Sequence, residues 1–214
     1  MKNLKLLVLG LFLSNLTFGQ VVKIQTGTTF SKLDWVIGNS AFALFNETLV
    51  GYSIFAGMDY FEKKYFNLSS NLGFIQKGGK ETHSLRNESG DFLKKTINAK
   101  LDYITINTVL DIKYPIKNNI SPFISFGPRF DYLINYDEVF DGLNEMDALK
   151  KYSIGLILGG GLKYDLSKIQ IGLRADYYLN FHKITDIPTQ LPENLGCKIN
   201  DKTVILNLII GFRL

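Results

Sequence analysis

Hydrophobic and polar residues alternate with a period of two in eight segments of the chain after residue 20. Alternation over ten or more residues is typical of β-strands, whose successive side chains point to opposite faces. Between residues 103 and 114, for example, Ile104, Ile106 and Ile112 share one face, and Asn107 and Asp111 share the other. The predicted strands cover residues 21–29, 50–61, 65–76, 101–114, 122–136, 152–164, 169–181 and 203–214.

The connections between these segments alternate in length. Residues 62–64, 115–121 and 165–168 form short connections, whereas the connections after the first, third, fifth and seventh segments are predicted to be long. Short turns on one rim and long loops on the other are typical of outer-membrane barrels. The pattern therefore predicts an all-β fold, an eight-stranded antiparallel up-and-down transmembrane β-barrel with both termini on the short-turn side.

The first 19 residues have the order of a secretory signal peptide. Lys2 and Lys5 precede an apolar run over residues 6–13, and small or polar residues follow. The run is too short for a stable membrane anchor. We therefore expect a cleaved signal peptide over 1–19, a barrel domain over 20–214, and export to the cell outer membrane.

No later stretch reaches the ~20 apolar residues of a membrane-spanning helix, so any membrane crossing must use strands.

Charge and cysteine content narrow the classes of partner. The formal net charge is +4, and it falls to +2 without Lys2 and Lys5, which is too weak to indicate a nucleic-acid partner. Cys197 is the single cysteine, so no intramolecular disulfide can form, and it lies far from the expected cleavage point, where a lipoprotein would need it.

In each predicted strand, every second residue lies on a polar face, which we call the polar phase. The polar phase predicts a charged barrel interior. Arg and Asp recur there with many glycines, and the lumen of eight strands is just wide enough for side chains to fill. A narrow pore and a soluble exported ligand-binding barrel remain alternatives, because alternation alone does not fix which face meets lipid. The outward phase ends in tyrosines at both rims, as aromatic girdles in a membrane do. The predicted interior polar network, structural in role, is Asp111, Lys113, Arg129, Asp131, Lys163, Arg174, Asp176 and Arg213, with Lys23 and Asp59 in the same phase.

Other motifs suggest chemistry only weakly. His83 beside Ser84, and His182 four residues before Asp186, are the residues on which a lipid-modifying barrel enzyme would have to depend, but neither makes a convincing triad. The run Gly159–Gly161 lacks the residues of a phosphate loop, and the acidic stretch 137–147 lacks the ligand spacing of a calcium loop. We expect no catalytic, cofactor or metal site, and we predict a non-enzymatic protein.

Four segments resemble a known family. These are PFISFGPRFDYLI (122–134), YSIGLILGGGLKYDL (152–166), LRADYY (173–178) and the closing IIGFRL (209–214). They are similar to the small outer-membrane β-barrel proteins of the PorT-like and OmpA-like kind. The resemblance implies outer-membrane lipid as the surroundings and the barrel-assembly machinery as a partner. It also implies protein partners at the long outer loops, including secretion-related assemblies. Relatives commonly end in an aromatic residue, whereas here Phe212 lies two residues before Leu214.

Overall fold

The computed structural model describes residues 21–37, 43–86, 92–116, 119–187 and 196–214, so the predicted signal peptide lies outside the described residues. Eight long strands and two short ones make up nearly all of the regular structure. The long strands are β1 (Val21–Ile37), β3 (Leu49–Glu62), β4 (Phe66–Arg86), β5 (Phe92–Lys113), β6 (Ile120–Tyr136), β7 (Tyr152–Leu166), β8 (Ile169–Asn180) and β10 (Cys197–Arg213). The short ones are β2 (Ala43–Leu44) and β9 (Thr185–Ile187).

The eight long strands form a closed antiparallel ring. Each pairs with its neighbours in chain order, and β1 pairs with β10 from Val21 opposite Arg213 to Ile37 opposite Cys197. Closure leaves no strand edge within the ring, so backbone N–H and C=O groups pair inside the protein. The predicted all-β, eight-stranded up-and-down fold is confirmed. Within the described residues, no helix has the length and hydropathy that a membrane span requires.

Four strands continue beyond their predicted ends on the long-loop side. The stretch 77–99, predicted as a loop, is mostly a hairpin in which β4 and β5 stay paired from Lys77–Leu101 to Arg86–Phe92. The strands β1 and β10 extend together in the same way. Above the apolar band the alternation of β1 continues with its faces exchanged, because Leu33 and Trp35 are buried on the inner face and Lys32 is exposed on the outer face. At the tip of the β4–β5 hairpin, side chains on both faces are exposed. The pattern of a lipid-facing strand therefore ends at the band, although the backbone pairing continues. We call this side the loop rim and the opposite side the turn rim.

The outer surface of the ring carries a band of apolar side chains. Leu72, Ile106, Leu173 and Leu208 lie near its middle and are exposed. Along β7 the band runs from Tyr152 to Tyr164, and twelve steps of ~3.3 Å at a tilt of ~40° correspond to ~30 Å along the barrel axis, close to the thickness of a bilayer core. The band therefore has the height that a lipid-facing surface needs.

Tyrosines and a phenylalanine mark the two ends of this band. Tyr114, Tyr164 and Phe212 are exposed at the turn rim. Near the loop rim, the corresponding exposed side chains are Tyr52, Tyr132, Tyr152 and Tyr177. Tyr60, which the outward phase of its strand also predicts for the girdle, is half-buried, and its hydroxyl lies 3.4 Å from the outward-facing Ser70. A bulge between Asp59 and Phe61 shifts the register, so that Phe61 is the more exposed ring there. The same bulge turns Glu62 toward the inside of the rim.

An apolar cap closes the loop rim. The connection between β6 and β7 forms a 3-10 helix (Glu138–Phe140) and a five-residue helix α1 (Asp141–Glu145). Phe140 stacks on Trp35 with ring centroids 5.5 Å apart, and the ring of Phe45 lies 5.4 Å from Trp35 on another side. The buried side chains of the cap are Leu33, Trp35, Phe45, Phe140, Leu143, Leu149, Ile184 and Ile199.

We predict that an arginine in the middle of the apolar band destabilises the barrel strongly. Ile106 is 53% exposed on the outer face, so Ile106→Arg would place a charge in the bilayer and should lower the free energy of unfolding by ~2–4 kcal/mol. The matched control is Asn98→Arg, on the part of β5 that extends beyond the band, which should change stability by less than ~0.5 kcal/mol. Denaturant titration in lipid vesicles measures both. Equal losses would contradict the position of the band.

Candidate functional site: the filled barrel lumen

Inward-facing glycines on β7 make room for the charged side chains of neighbouring strands. A Cβ atom added at Gly159 would lie 2.0 Å from Oδ1 of Asp176, and one added at Gly155 would lie 2.8 Å from Nη2 of Arg129. The inward-facing glycines therefore supply space for large polar groups. Long side chains can therefore fill the lumen. A larger residue in place of one of these glycines would displace the charged side chains beside it.

Three cations and three carboxylates form a lower layer in the half of the lumen nearer the turn rim. Lys163 lies 2.9 Å from Asp111 and 3.6 Å from Asp59, and Lys23 donates a hydrogen bond to Asp59. Arg174 joins the group with contacts of 3.3 Å to Asp111 and 2.6 Å to Asp176. All six side chains are buried, and their formal charges cancel. Buried charges need such partners because burial without them is costly.

Amide and hydroxyl side chains form a layer between the charged ones. Gln25 donates to Asn71 at 2.8 Å, Asn71 donates to Asn107 at 2.7 Å, and Ser53 donates to Asn207 at 2.8 Å. The cavity beside these side chains has a volume of about 10 Å³, which is room for a single water molecule. Among the described residues, the side chains of this layer therefore leave little room for water in the middle of the lumen.

An upper layer of two cations and two carboxylates lies beneath the cap. Lys77 contacts Asp131 at 2.8 Å and Asp201 at 3.4 Å, and Arg129 contacts Asp131 at 3.1 Å. Arg129 also lies 4.1 Å from the ring centroid of Tyr178, within the range of cation–π attraction. Lys77 and Asp201 were absent from the predicted network, because both were assigned to loops and not to the extended parts of β4 and β10.

Two residues of the predicted network lie at the turn rim, and one of them is exposed. Arg213 is the last residue of β10, and its side chain is 37% exposed, so the prediction of an interior position is wrong for it. It contacts Glu62 at 3.3 Å and Asp165 at 3.2 Å. The side chain of Lys113 is only 9% exposed, and it also contacts Glu62, at 3.4 Å. This rim layer is again balanced, with two cations and two carboxylates.

Some buried polar atoms in the lower half have no hydrogen-bond partner among the described residues. Both amide atoms of Asn67, the hydroxyl of Ser69 and Oδ2 of Asp59 are in this group. Ser69 is directly opposite Asp59 in the register of β3 and β4. Polar atoms buried together in this way are typical positions for ordered water.

The histidines do not assemble a catalytic group in the described part of the chain. His83 is exposed on β4 and lies 3.5 Å from Glu81, and His182 is exposed after β8. Asp186, the acid predicted beside His182, instead contacts Lys183 at 3.1 Å. Neither histidine has a hydroxyl partner among the described side chains.

The remaining candidate motifs take structural positions. The acidic stretch 137–147 folds into the 3-10 helix and α1, and it buries Phe140 and Leu143 in the cap. Across the ranges that the structure describes, no group of three or more His, Cys, Asp or Glu side chains is placed to hold a metal ion. Burial raises the pKa of the Cys197 thiol, whose sulfur accepts a hydrogen bond from the Trp35 indole at 3.0 Å. A raised thiol pKa lowers the thiolate fraction and hence the reactivity.

A family model described as "Outer membrane protein beta-barrel domain" matches residues 12–186. The chain belongs to this family. Its place is therefore the outer membrane, and lipid surrounds the apolar band, as the resemblance of the sequence implied. In barrels of this membrane the short turns are periplasmic and the long loops extracellular, which fixes the orientation of the two rims. Among curated protein sequences, none is significantly similar to this chain.

Solved outer-membrane barrels are similar to this chain at low sequence identity. OprG from Pseudomonas aeruginosa is 10% identical, with 92% of this chain and 96% of that chain covered and a TM-score of 0.51. The N-terminal β-barrel domain of Pseudomonas aeruginosa OprF is 12% identical, with 92% and 99% covered and a TM-score of 0.47. The outer membrane protease OmpT from Escherichia coli is 10% identical, with 92% and 97% covered and a TM-score of 0.44. At such identities the likeness concerns the fold alone.

We predict that the lower layer is energetically coupled. Arg174→Met leaves Asp176 and Asp111 without their shared cation, and the free energy of unfolding should fall by ~3–5 kcal/mol. Adding Asp176→Asn should restore part of that loss, as coupled neighbours do. The matched control is Arg213→Met at the exposed rim, with an expected loss of ~0–1 kcal/mol. Denaturant titration in vesicles measures all three, and additive effects of the two lower-layer changes would contradict the coupling.

Proposed function

We propose that this protein is a non-enzymatic, non-conducting outer-membrane barrel that acts through its extracellular surface. The observation that carries the proposal is the filling of the lumen by three successive polar layers, the upper, amide and lower ones, beneath an apolar cap. Ions need a continuous water path, and side chains that pair with each other across a narrow barrel leave none. In the proposed mature protein, residues 1–19 are removed during export, and the barrel-assembly machinery inserts the barrel.

The extracellular surface includes an arm that is suited to binding a partner. The β4–β5 hairpin continues for about nine residues beyond Lys77, or ~30 Å of strand at ~3.3 Å per residue. Lys94, Lys95 and Asn98 are exposed on it. Basic, exposed side chains on a projecting strand favour an acidic partner surface through electrostatic attraction. Partners of this kind could belong to a secretion-related assembly, as the resemblance to PorT-like proteins suggests.

The two rival functions lack a supporting arrangement in the described residues. A lipid-modifying enzyme needs a nucleophile held against a base, and the exposed His83 and His182 have no such neighbour there. A narrow pore needs a hydrated lumen, whereas the amide layer leaves a cavity of about 10 Å³. A pore would therefore require a rearrangement of the interior, and a lipid-modifying enzyme would require one around His83 or His182.

We predict conductance near zero for the wild-type barrel in a planar lipid bilayer. Trp35→Ala should also stay silent, because it loosens the cap but leaves the upper, amide and lower layers in place. Single-channel recording at several voltages is the measurement. Stable, reproducible conductance steps from the wild-type protein would contradict the closed lumen and favour the hypothesis of a narrow pore.

We predict a specific contact at the hairpin arm in intact cells. A photoreactive residue at Asn98 should give a discrete cross-linked product, and the same residue at the turn-rim position Lys64 should not give that product. Reversing the arm's charge with Lys94→Glu and Lys95→Glu should reduce the product about fivefold or more, since attraction to an acidic surface is lost. A product that is unchanged by charge reversal, or that forms equally at Lys64, would contradict an acidic partner at the arm.

A further inference from the structure

Two lysines face each other on the outer wall of the barrel immediately above the aromatic girdle. In the β1–β10 pairing, Lys32 is directly opposite Lys202, and both side chains are exposed on the outer face. Like charges directly opposite each other on one face of a sheet destabilise it. A position that keeps this repulsion is therefore suited to an anion that binds both ammonium groups.

The row of residues directly below this pair is apolar. Phe30 is opposite Val204, and Val204 is opposite Tyr177 on the next strand. All three side chains are exposed on the lipid-facing surface. Moving outward from the membrane, the wall therefore changes from apolar side chains, Phe30 and Val204, to basic ones, Lys32 and Lys202, within two residues of each strand. The same order is found in a membrane interface, where acyl chains give way to charged headgroups.

These two rows line one groove on the outer surface. It has a volume of about 400 Å³, and its lining is Phe30, Lys32, Asp34, Asn46, Thr48, Tyr177, Lys202 and Val204. One end of the groove is thus apolar and the other is basic. The shape and the chemistry match a lipid whose chain lies low and whose headgroup lies high.

Charge in the groove is only partly neutralised by the protein. Asp34 accepts a contact from Lys202 at 2.7 Å, whereas Lys32 has no carboxylate partner among the described residues. The two lysines and Asp34 leave one net positive charge. In the lumen, the charges of the cations and carboxylates cancel within each layer. The two lysines on the outer wall, with only one carboxylate beside them, therefore differ from every charged layer inside.

We propose that this groove binds the phosphate-bearing headgroup of an outer-leaflet lipid, with the phosphate between Lys32 and Lys202 and the lipid chain against Phe30, Tyr177 and Val204. The site is independent of the proposed function at the hairpin arm. It depends only on the position of the barrel in the membrane. Asp34 limits the affinity, since it competes with the phosphate for Lys202.

The test is native mass spectrometry of the full mature chain folded in a non-ionic detergent, with dioleoyl phosphatidic acid as the probe. The wild-type barrel should retain one lipid, and Lys32→Gln with Lys202→Gln should weaken binding about tenfold or more, since each lysine near a membrane surface contributes to the attraction of an anionic lipid. Asp34→Asn should strengthen it. The matched control Lys94→Gln with Lys95→Gln removes the same charge at the hairpin arm and should leave retention of this lipid unchanged.

Two further ligands distinguish the source of the phosphate. Dioleoylglycerol has the same chains without the phosphate and should not be retained, and inorganic phosphate at the same concentration should not bind. Heat-dependent gel mobility checks that every variant is folded. The proposal is overturned if the two double variants bind the probe equally well, if Asp34→Asn weakens binding, or if dioleoylglycerol or inorganic phosphate binds as tightly as the probe.

Discussion

Neutralisation of every charge that points into the lumen is the constraint on which this barrel depends. Eight strands enclose too little space for bulk water, so an unpaired ion there would face the full cost of burial. The chain meets the constraint in layers, with three cations and three carboxylates in the lower layer and two of each in the upper layer. The glycines of β7 follow from it, because long ionic side chains on one strand need space on the next.

The alternation of the sequence was sufficient to predict the fold, because lipid outside and polar side chains inside impose opposite chemistry on successive residues. It placed Asp111, Arg129, Asp131, Lys163, Arg174 and Asp176 in the same phase, and all six are buried in the structure. The predicted set had six basic and four acidic residues, counting Lys23 and Asp59, and was therefore unbalanced. Balance appears only with Lys77, Asp201, Glu62 and Asp165, which lie beyond the predicted strand ends or at a bulge.

The cap and the strand extensions could not be predicted from the pattern, for two different physical reasons. Above the membrane the inner face of an extended strand becomes apolar and the outer face polar, as Leu33 and Lys32 of β1 show, so the pattern of a lipid-facing strand ends there even though backbone pairing continues. The cap collects apolar residues such as Trp35, Phe45, Phe140 and Ile184 from separate segments. Each segment supplies too few of them to indicate which others it will meet, and only their meeting in three dimensions makes them a core.

The cap also separates the loops from the charge balance beneath them. Its contacts are apolar and non-directional, so a change in the exposed part of a connection alters packing by increments. The layers below depend on specific ion pairs, and a change there leaves a buried charge without its partner. An apolar layer between the two means that the extracellular surface can vary in charge and shape without disturbing the lumen. If the lumen is closed as proposed, this surface and the lipid-facing wall are the places where binding can occur.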